Sequence, residues 1–419
     1  MYVYFDKKQN GGKRNAQHRG EACTVTKRKV VSMMASAGLA ASTSGAASSE
    51  PASAKETPVS AAPFRIAYVG CRTTRERNAR GEGIAVFQIS NDGRTWNRIQ
   101  LVDGLLNPSF LAFSHDRRML YAVHGDSSEV SAFRIDAAGG RLTLINQVPC
   151  QGLNPVHLTL DPSGRYLLVA NHITKTPHVS SLAVLSVGTD GALGGIVDHV
   201  PLSGNAGPHR VEQPFAKPHQ VVFDPAGRFV AVPDKGLDLI LTYRLDDAGK
   251  LHAADAPPAR AREGSGPRHL AFHPAQPLVF VLNELSSTVL SCAYDPQSGA
   301  ITPRQEVSAL PDTFIGFSRG SEIETSPDGQ FVYVSNRGHD SLAAFAIDGG
   351  TGRLSPVGWV AAEGKTPRFF TLDPSGQYLF AANEDSDTIV GFSRDQASGR
   401  LSDTTVVART GSPTCILFA

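Results

Sequence analysis

Four titratable residues stand out because they break the pattern of an otherwise repetitive sequence. They are His219 in KPHQ, Arg268 in GPRH, Glu284 in NELSS and Arg337 in SNRGHDS. An imidazole or a carboxylate can take a proton from water, and a guanidinium can bind an anion or stabilise an oxyanion. If the fold brings the four side chains together, they form a site that binds a small anion and moves a proton.

Three further basic residues are candidates for holding a substrate: Arg210, Lys235 and Arg368. Any single arginine or glutamate among these residues has a competing interpretation as an ion pair between neighbouring structural units. The histidines fall in different repeats, without an H-x-H or H-E-x-x-H motif, so no metal site is predicted. The sequence also lacks a glycine-rich phosphate loop and a dinucleotide fingerprint, so no cofactor is predicted.

An internal repeat must position these residues. Its phrase is a proline, a short apolar run, a turn such as Asp-Pro-Ser-Gly, and a second apolar run that ends in a polar residue. Successive copies start 46 to 63 residues apart. The copies start at Pro108, Pro155, Pro218, Pro267, Gly320, Pro367 and, in truncated form, Pro413.

Each phrase predicts two strands around a tight turn, and two more strand-like segments follow it, as in SLAAFAID and TGRLSPVGWV. Four strands with a period in the forties are typical of a β-propeller blade. The fragments PTCILFA from Pro413 and RIAYVGC from Arg65 supply the first and second strands of one more blade. The sequence therefore predicts an all-β, seven-bladed β-propeller with four antiparallel strands per blade, closed by pairing of its N- and C-terminal strands.

In such a blade, the loop into the first strand and the loop out of the second lie on the same face. The residue after each repeat proline and the residues that end each second strand should therefore gather at one mouth of the central channel. Where asparagine recurs at these positions, a structural role is indicated. Two longer loops, residues 202–217 and 71–83, add to this mouth. The second contains four arginines and is interpreted either as a ligand contact or as a solvated charge run.

Bulk composition excludes several classes of partner. The 419-residue chain has a net charge of +1, which argues against a nucleic acid or a membrane surface. It contains no run of 18 apolar residues, so no transmembrane helix is predicted. Its five cysteines are widely scattered, and we expect them to be buried apolar groups in a reduced compartment.

The N-terminal residues 1–62 look separate from the propeller, which is assigned to residues 63–419. Residues 27–54 run from a basic stretch through a weak apolar segment to Ala-Ser-Ala, an order that imitates an export signal. Two interpretations stay open: a disordered extension on a cytoplasmic protein, or a leader that sends the protein to the periplasm.

The most specific phrases are GPHRVEQPFAKPHQVVFDPAGRFVAVPDKGLD, GPRHLAFHPAQPLVFVLNELSSTV and SPDGQFVYVSNRGHDSLAAFAID. With them, the chain resembles the seven-bladed β-propeller lactonase family over about residues 64–419. This family includes bacterial 6-phosphogluconolactonases and fungal carboxy-muconate lactonizing enzymes. The resemblance implies a site at the channel mouth made from the same His, two Arg and Glu. Two positions depart from the family pattern: Glu324 stands where similar sequences often have His, and His172 where they have an aromatic residue.

The activity implied by the resemblance is hydrolysis of a small anionic lactone, most directly 6-phospho-glucono-1,5-lactone to 6-phosphogluconate. In this hypothesis His219 or Glu284 is the general base for water attack, and Arg268 or Arg337 stabilises the oxyanion. The alternatives are a muconate-type cycloisomerase or a hydrolase of unphosphorylated lactones. From another class, a propeller interaction module without chemistry would show apolar or aromatic anchors at the mouth, where few aromatics are expected. The oligomeric state is left open.

Overall fold

The computed structural model describes residues 65–173 and 180–419. Within these residues the chain is mostly β-strand, with a three-residue 3-10 helix at Arg75–Arg77. None of the described helices is long and apolar enough to cross a membrane. The predictions for residues 1–62 lie outside the described residues.

The described residues form twenty-nine strands. The first fifteen are β1 (Ile66–Cys71), β2 (Gly83–Ile89), β3 (Trp96–Asp103), β4 (Pro108–Phe113), β5 (Met119–His124), β6 (Glu129–Ile135), β7 (Leu142–Pro149), β8 (Leu153–Leu160), β9 (Tyr166–Ile173), β10 (Ser180–Val187), β11 (Leu193–Leu202), β12 (Val222–Phe223), β13 (Val230–Asp234), β14 (Leu239–Leu245) and β15 (Leu251–Ala253). The others are β16 (Ala259–Arg260), β17 (Pro267–Phe272), β18 (Leu278–Asn283), β19 (Thr288–Asp295), β20 (Ala300–Ser308), β21 (Arg319–Thr325), β22 (Phe331–Arg337), β23 (Ser341–Ile347), β24 (Leu354–Ala361), β25 (Pro367–Leu372), β26 (Tyr378–Asn383), β27 (Thr388–Arg394), β28 (Leu401–Arg409) and β29 (Pro413–Phe418).

These strands form seven antiparallel sheets, which are the seven predicted blades. Blade 1 has the order β29-β1-β2-β3, and blades 2 and 3 contain β4–β7 and β8–β11. Blade 4 contains β12–β16, and blades 5, 6 and 7 contain β17–β20, β21–β24 and β25–β28. Neighbouring blades pack on each other through the strands nearest the axis, and β29 completes the circle by contacting both β25 and β4. The prediction of a seven-bladed propeller is confirmed.

Ring closure occurs where the sequence predicts it. Strand β29 pairs with β1 in an antiparallel register that matches Ala67 with Phe418, Gly70 with Cys415 and Cys71 with Pro413. Each terminal fragment thereby covers the backbone edge that the other would expose. Blade 1 consequently exists only when both ends of the described chain are in place.

Tyrosines in the second strands join adjacent blades. Tyr68 of blade 1 donates to the backbone oxygen of Gly140 in blade 2 (2.7 Å), and Tyr333 of blade 6 donates to Gly399 in blade 7 (2.8 Å). In both cases the acceptor lies in the turn between the third and fourth strands of the next blade. A buried hydrogen bond of this kind contributes roughly 1 kcal/mol net. The repeat therefore encodes the spacing between blades as well as their strands.

The recurring asparagines have the structural role that the repeat indicates. Asn336 donates through Nδ2 to the backbone oxygen of Ala309 (2.8 Å), and Asn383 donates to Ala362 (2.9 Å). Asn283 instead donates to the hydroxyl of Thr288 (3.0 Å). These bonds fasten the end of each second strand, and the residue that follows it is held at the mouth.

Blade 4 departs from the regular pattern around His219. Its first strand is reduced to the two residues of β12, and Pro218 forms only an isolated bridge with Asp234. One oxygen of Asp234 accepts the backbone N–H groups of Lys217, Gly236 and Leu237 (2.7, 2.9 and 3.0 Å). These bonds replace strand pairing, and His219 lies in an irregular but buried segment.

The described cysteines are buried, as the sequence predicts. Cys71, Cys150, Cys292 and Cys415 are buried with free thiols. Burial raises the pKa of the Cys71 and Cys150 thiols to about 11, so these thiols stay protonated at neutral pH. They act as small core groups. Cys23 lies outside the described residues.

Candidate active site

The strand register defines two sets of equivalent positions at the mouth of the channel. One set, the proline-following positions, comprises Ser109, Val156, His219, Arg268, Ser321, Arg368 and Thr414. The other, the strand-end positions, follows the residue paired with each repeat proline. It comprises Arg72, Gly125, His172, Lys235, Glu284, Arg337 and Glu384.

Glu284 is the centre of a buried cluster of charges at this mouth. Its Oε2 lies 3.1 Å from Nε of Arg268 and 3.3 Å from Nη2 of Arg337, and its Oε1 lies 3.1 Å from Nζ of Lys235. Burial alone would raise the pKa of Glu284, but the charges of Lys235, Arg337 and Arg268 hold it well below its usual range. The carboxylate is therefore a permanent anion that positions the cations around it.

Two residues that the sequence analysis missed extend this cluster toward solvent. Arg319 contacts Glu284 (3.4 Å) and donates to Glu212 (2.7 Å). Glu212 also accepts from Lys235 (3.1 Å) and comes from the long loop before His219. The loop thus joins the mouth, as expected. One feature of the sequence could have pointed to Arg319. It directly precedes Gly320, the residue that replaces the repeat proline and marks the mouth of the channel.

Two arginines of the cluster, Arg268 and Arg337, keep an unused donor. The Nε–H groups of Arg268 and Arg337 are buried and have no hydrogen-bond partner among the described residues. For Arg268 the distance to Glu284 is short, but the angle does not make a hydrogen bond. Burial and the charges of Arg337 and Arg368 lower the pKa of Arg268 to about 9, so the group remains a cation at neutral pH. An anionic oxygen would satisfy such donors.

His219 lies beside this cluster and is electrically neutral. Its Nδ1 is 3.1 Å from Nε2 of His269, and its ring meets the ring of His172 edge-on at 4.8 Å between centroids. Burial, followed by the charges of Arg268 and the nearby histidines, lowers the pKa of His219 well below its usual value. A neutral imidazole can accept a proton. The structure thus brings together His219 and the three charged residues singled out in the sequence.

A second, smaller cluster occupies the neighbouring part of the mouth. Glu384 lies 3.7 Å from Nε of Arg368 and 3.4 Å from Nη1 of Arg72. Burial and the charge of Arg368 lower the pKa of Arg72 to about 9. The two interpretations of the arginine-rich loop, residues 71–83, therefore apply to different residues. Arg72 reaches the mouth, whereas Arg75 is exposed to solvent.

The other sequence candidates take different positions. Lys235 is buried between Glu284 and Glu212 and helps to hold the first cluster. Arg368 belongs to the second cluster. Arg210 is exposed in the loop before β12 and takes part in none of the ion pairs found among the described residues. Within residues 65–173 and 180–419, no group of three or more His, Cys, Asp or Glu is arranged to hold a metal ion.

Gly316–Gly320 spells the G-x-S-x-G pattern of a serine nucleophile, but its surroundings differ from a nucleophile elbow. Such an elbow lies between a strand and a helix, whereas Ser318 directly precedes β21. Its hydroxyl donates to the backbone oxygen of Arg337 (3.2 Å). Ser318 therefore fastens the strand end that carries Arg337.

A layer of side chains lies one residue deeper than the proline-following positions. It consists of Phe110, His157, Gln220, His269, Glu322, Phe369 and Cys415. Below it is a cavity of about 310 Å³, whose lining includes Glu322 and Glu324. Burial raises the pKa of Glu322 to about 7 and that of Glu324 to about 8.

Glu324 provides a stability prediction. Its folded pKa of about 8 lies above the ordinary value, so the folded protein binds one proton more than the unfolded chain between about pH 4.5 and 8. Stability should therefore fall as pH rises through this range. We compare the free energy of unfolding of Glu324→Gln with that of the wild type. The difference should favour the variant by a few kcal/mol more at pH 9 than at pH 5. Urea unfolding at both pH values measures this, and Glu363→Gln, at an exposed carboxylate, is the control. If the stability of Glu324→Gln fell with rising pH as steeply as that of the wild type, the prediction would be wrong.

Comparisons with known proteins agree with this architecture. A family model described as "Lactonase, 7-bladed beta-propeller" matches residues 66–418. A 6-phosphogluconolactonase from Bacillus subtilis is 35% identical over 311 residues, which is 74% of this chain and 85% of the relative. A 6-phosphogluconolactonase from Formosa agariphila is 34% identical over 319 residues, 73% of this chain and 86% of the relative.

A solved structure shows the same fold. The periplasmic gluconolactonase of Pseudomonas aeruginosa superposes with a TM-score of 0.78 at 32% identity, covering 85% of this chain and 99% of that one. The relatives thus include a protein named for a phosphorylated lactone and one named for a plain lactone.

Proposed function

Because the chain belongs to the seven-bladed β-propeller lactonase family, we propose that it hydrolyses 6-phospho-glucono-1,5-lactone to 6-phosphogluconate. One observation carries the proposal. The buried anion of Glu284 holds Arg268 and Arg337 with unused N–H donors beside the neutral imidazole of His219. Lactone hydrolysis needs these two capacities, one to take a proton from water and one to stabilise a negative oxygen.

The charges around the two candidate bases support His219 over Glu284. Protonation of Glu284 would remove the anion that four cations surround, and its pKa is accordingly held well below the usual range. His219 is neutral and has a ring nitrogen to accept the proton. We therefore assign His219 as the general base and Glu284 as the residue that positions the arginines.

The reaction then proceeds in two balanced steps. Water attacks the ring carbonyl carbon as His219 takes its proton, and the carbonyl electron pair moves onto oxygen, where Arg268 and Arg337 stabilise the charge. The tetrahedral intermediate reforms the carbonyl and breaks the bond to the ring oxygen, which takes the proton from His219. The product acid ionises to the carboxylate. The protein returns to its starting state, with no covalent intermediate.

The charge at the mouth supports a substrate with an additional anionic group. The described ion pairs there join six cations to three carboxylates. The cations are Arg72, Lys235, Arg268, Arg319, Arg337 and Arg368, and the carboxylates are Glu212, Glu284 and Glu384. We assign the phosphate to the Arg72 and Arg368 pair, which is separate from the arginines around the carbonyl.

Replacing Arg72 with methionine should weaken binding of the phosphorylated lactone selectively. A lost hydrogen bond to a charged group is worth roughly 1.5–3 kcal/mol, so KM should rise about 10- to 100-fold while kcat changes less. For the unphosphorylated lactone, KM should stay close to that of the wild type. Arg75→Met on the same loop, where the side chain is exposed, is the control. Equal changes in KM for both lactones would contradict the phosphate assignment.

The proposal is tested by acid release from a panel of phosphorylated and plain lactones, measured above the spontaneous rate. We expect the highest kcat/KM for the 6-phospho compound, and a cytoplasmic site of action follows, since sugar phosphates are cytoplasmic. Preference for a plain lactone would favour the second candidate, an exported gluconolactonase. That candidate has the support of the periplasmic relative and of the signal-like order of residues 27–54.

A cycloisomerase and an interaction module predict different outcomes with the same panel. A muconate-type cycloisomerase would form or open a lactone from a muconate without hydrolysing sugar lactones. An interaction module would hydrolyse none of the panel. It predicts exposed apolar anchors, and Val211, Ile315 and Phe317 are indeed exposed on loops of the mouth face, more than the sequence led us to expect. The buried charge cluster has no use in such a module, so catalysis remains the function that the site supports best.

A further inference from the structure

A chain of hydrogen bonds leads from His219 away from the mouth and into the channel. Nδ1 of His219 lies 3.1 Å from Nε2 of His269, and Nδ1 of His269 lies 2.7 Å from Oε1 of Glu322. All three side chains are buried, with residue exposures of 5%, 2% and 5%. They come from three consecutive blades, 4, 5 and 6. No step of the proposed hydrolysis uses His269 or Glu322.

The contacts of Glu322 determine the direction of this chain. Its Oε1 also accepts the backbone N–H of Ile323 (3.1 Å), and in its ionised form the carboxylate can only accept hydrogen bonds. The Nδ1 of His269 is then the N–H donor to Glu322, which leaves the Nε2 of His269 as an acceptor. His219 must in turn donate through Nδ1. The lone pair of His219 is consequently on Nε2, the nitrogen that the base needs for water.

We infer that His219, His269 and Glu322 form a proton relay in which Glu322 stores the proton that His219 takes from the attacking water. The inference rests on the proposed function, because the relay serves the base of that reaction. His269 is the link between the two ends, and Glu322 is a positioning residue that acts through it.

The transfer balances at each atom. As water attacks, its proton binds Nε2 of His219, the Nδ1 proton of His219 moves to Nε2 of His269, and the Nδ1 proton of His269 moves to Oε1 of Glu322. Each nitrogen gives up one proton for each that it receives, and the carboxylate becomes a neutral acid. When the ring oxygen leaves, the three protons move back and the last one passes from His219 to that oxygen.

The surrounding charges explain why the proton is stored at the far end. An imidazolium at His219 or His269 would be a buried cation beside the arginines of the mouth, and the pKa values of both rings are lowered well below the usual range. Burial instead raises the pKa of Glu322 to about 7, so a proton there removes a buried charge. The titratable or charged groups facing the three relay residues are His172, Lys235, Arg268, Glu284, Arg337 and Arg368, with His157, Glu324 and Cys415 deeper in the channel.

The relay predicts a pH below which the enzyme loses activity, which we call its acid limit. If Glu322 is already protonated, it donates to His269, both rings change tautomer, and Nε2 of His219 carries a hydrogen. Activity should therefore fall below about pH 7, near the pKa of Glu322. Glu322→Gln keeps the acceptor oxygen but cannot store a proton. We expect kcat/KM at pH 8 to fall about 10- to 100-fold and the acid limit to move down by at least one pH unit.

The pH profile separates a relay from a structural effect. A uniform loss of rate with the acid limit unmoved would overturn the inference. Glu324→Gln is the matched control, since it lies on the same strand and lines the same cavity but makes none of the relay bonds, and it should keep the wild-type acid limit.

A measurement on the unaltered protein covers the case in which Glu322→Gln does not fold. Nitrogen-15 NMR of the histidine rings at pH 8 should show the Nδ1–H tautomer for both His219 and His269. The Nε2–H tautomer at His219 would overturn the inference. Absence of lactone hydrolysis by the wild type would end the proposed function and the relay's role, whereas hydrolysis with an unmoved acid limit in Glu322→Gln would end the relay alone.

Discussion

Replacing His219 with glutamine should lower kcat/KM for lactone hydrolysis by about 10²–10⁴-fold, the usual contribution of a positioned general base. The amide retains the approximate size of the ring and can still hydrogen bond to His269, but it cannot take a proton from water. The largest part of the effect should appear in kcat, because the anion-binding arginines remain in place. Initial rates of acid release at pH 8, corrected for spontaneous hydrolysis, measure it.

His273→Gln is the matched control for this variant. His273 is also buried, but it lies in the turn between β17 and β18, on the face opposite the mouth, where its Nε2 bonds to the backbone oxygen of Gly329 (2.9 Å). Its loss should reduce stability and leave kcat/KM of the folded protein near the wild-type value. If both variants lost the same activity, or if His219→Gln kept more than a tenth of it, His219 would not be the base.

Replacing Arg268 with methionine should lower kcat/KM by about 10²–10³-fold, as expected for removal of one oxyanion donor from a buried site. Methionine fills much of the space of the aliphatic stem but has no donor and no charge. It also leaves Glu284 with one cation fewer, although Lys235 and Arg337 still pair with that carboxylate. The variant should therefore fold, and single-turnover rates should show the loss in the chemical step.

Arg394→Met provides the comparison for Arg268→Met. Arg394 is a buried arginine of blade 7 that pairs with Asp328 (2.7 Å) and donates to the hydroxyl of Tyr333 (2.8 Å), at the opposite end of the propeller. Both variants remove a buried guanidinium, so both should be less stable. Only Arg268→Met should lose turnover at a temperature where both are folded. Equal turnover in the two variants would exclude a role for Arg268 in the reaction.

The fold was predictable because the same strand and turn signals recur in every blade. Seven copies constrain each other, so a weak signal in one copy, such as the short strand around Val222, is supported by the other six. The structural role of Asn336 and Asn383 followed from the same recurrence. The two-residue length of β12 was not predictable, because it depends on how the carboxylate of Asp234 accepts nearby backbone N–H groups.

The site was only partly predictable, for reasons that differ between residues. Arg72 occupies the same position as Arg337 in another blade, but its proline partner is at the other end of the chain, and the equivalence is visible only after the ring closes. Glu212 comes from an insertion that has no counterpart in the repeat. His269 and Glu322 lie one position deeper than the residues compared in the sequence.

The choice between His219 and Glu284 as base could not be made from residue types either. Both side chains can accept a proton, and the sequence places both at the mouth. The decision depends on how many cations surround each group and how deeply each is buried, which are properties of the assembled ring. The pattern of residues predicted which side chains meet, and the geometry determines what each one can do.

The pairing of β1 with β29 has a consequence for how this protein is made. During translation β1 leaves the ribosome first, and its backbone edge must wait until nearly the whole chain has been synthesised before its partner appears. The nascent chain therefore carries an unprotected strand edge for most of its synthesis, and the non-local contact is slow to form. A chain that ends before Pro413 would contain the strands of blades 2 to 7 but would leave the edge of β1 unpaired and the ring open.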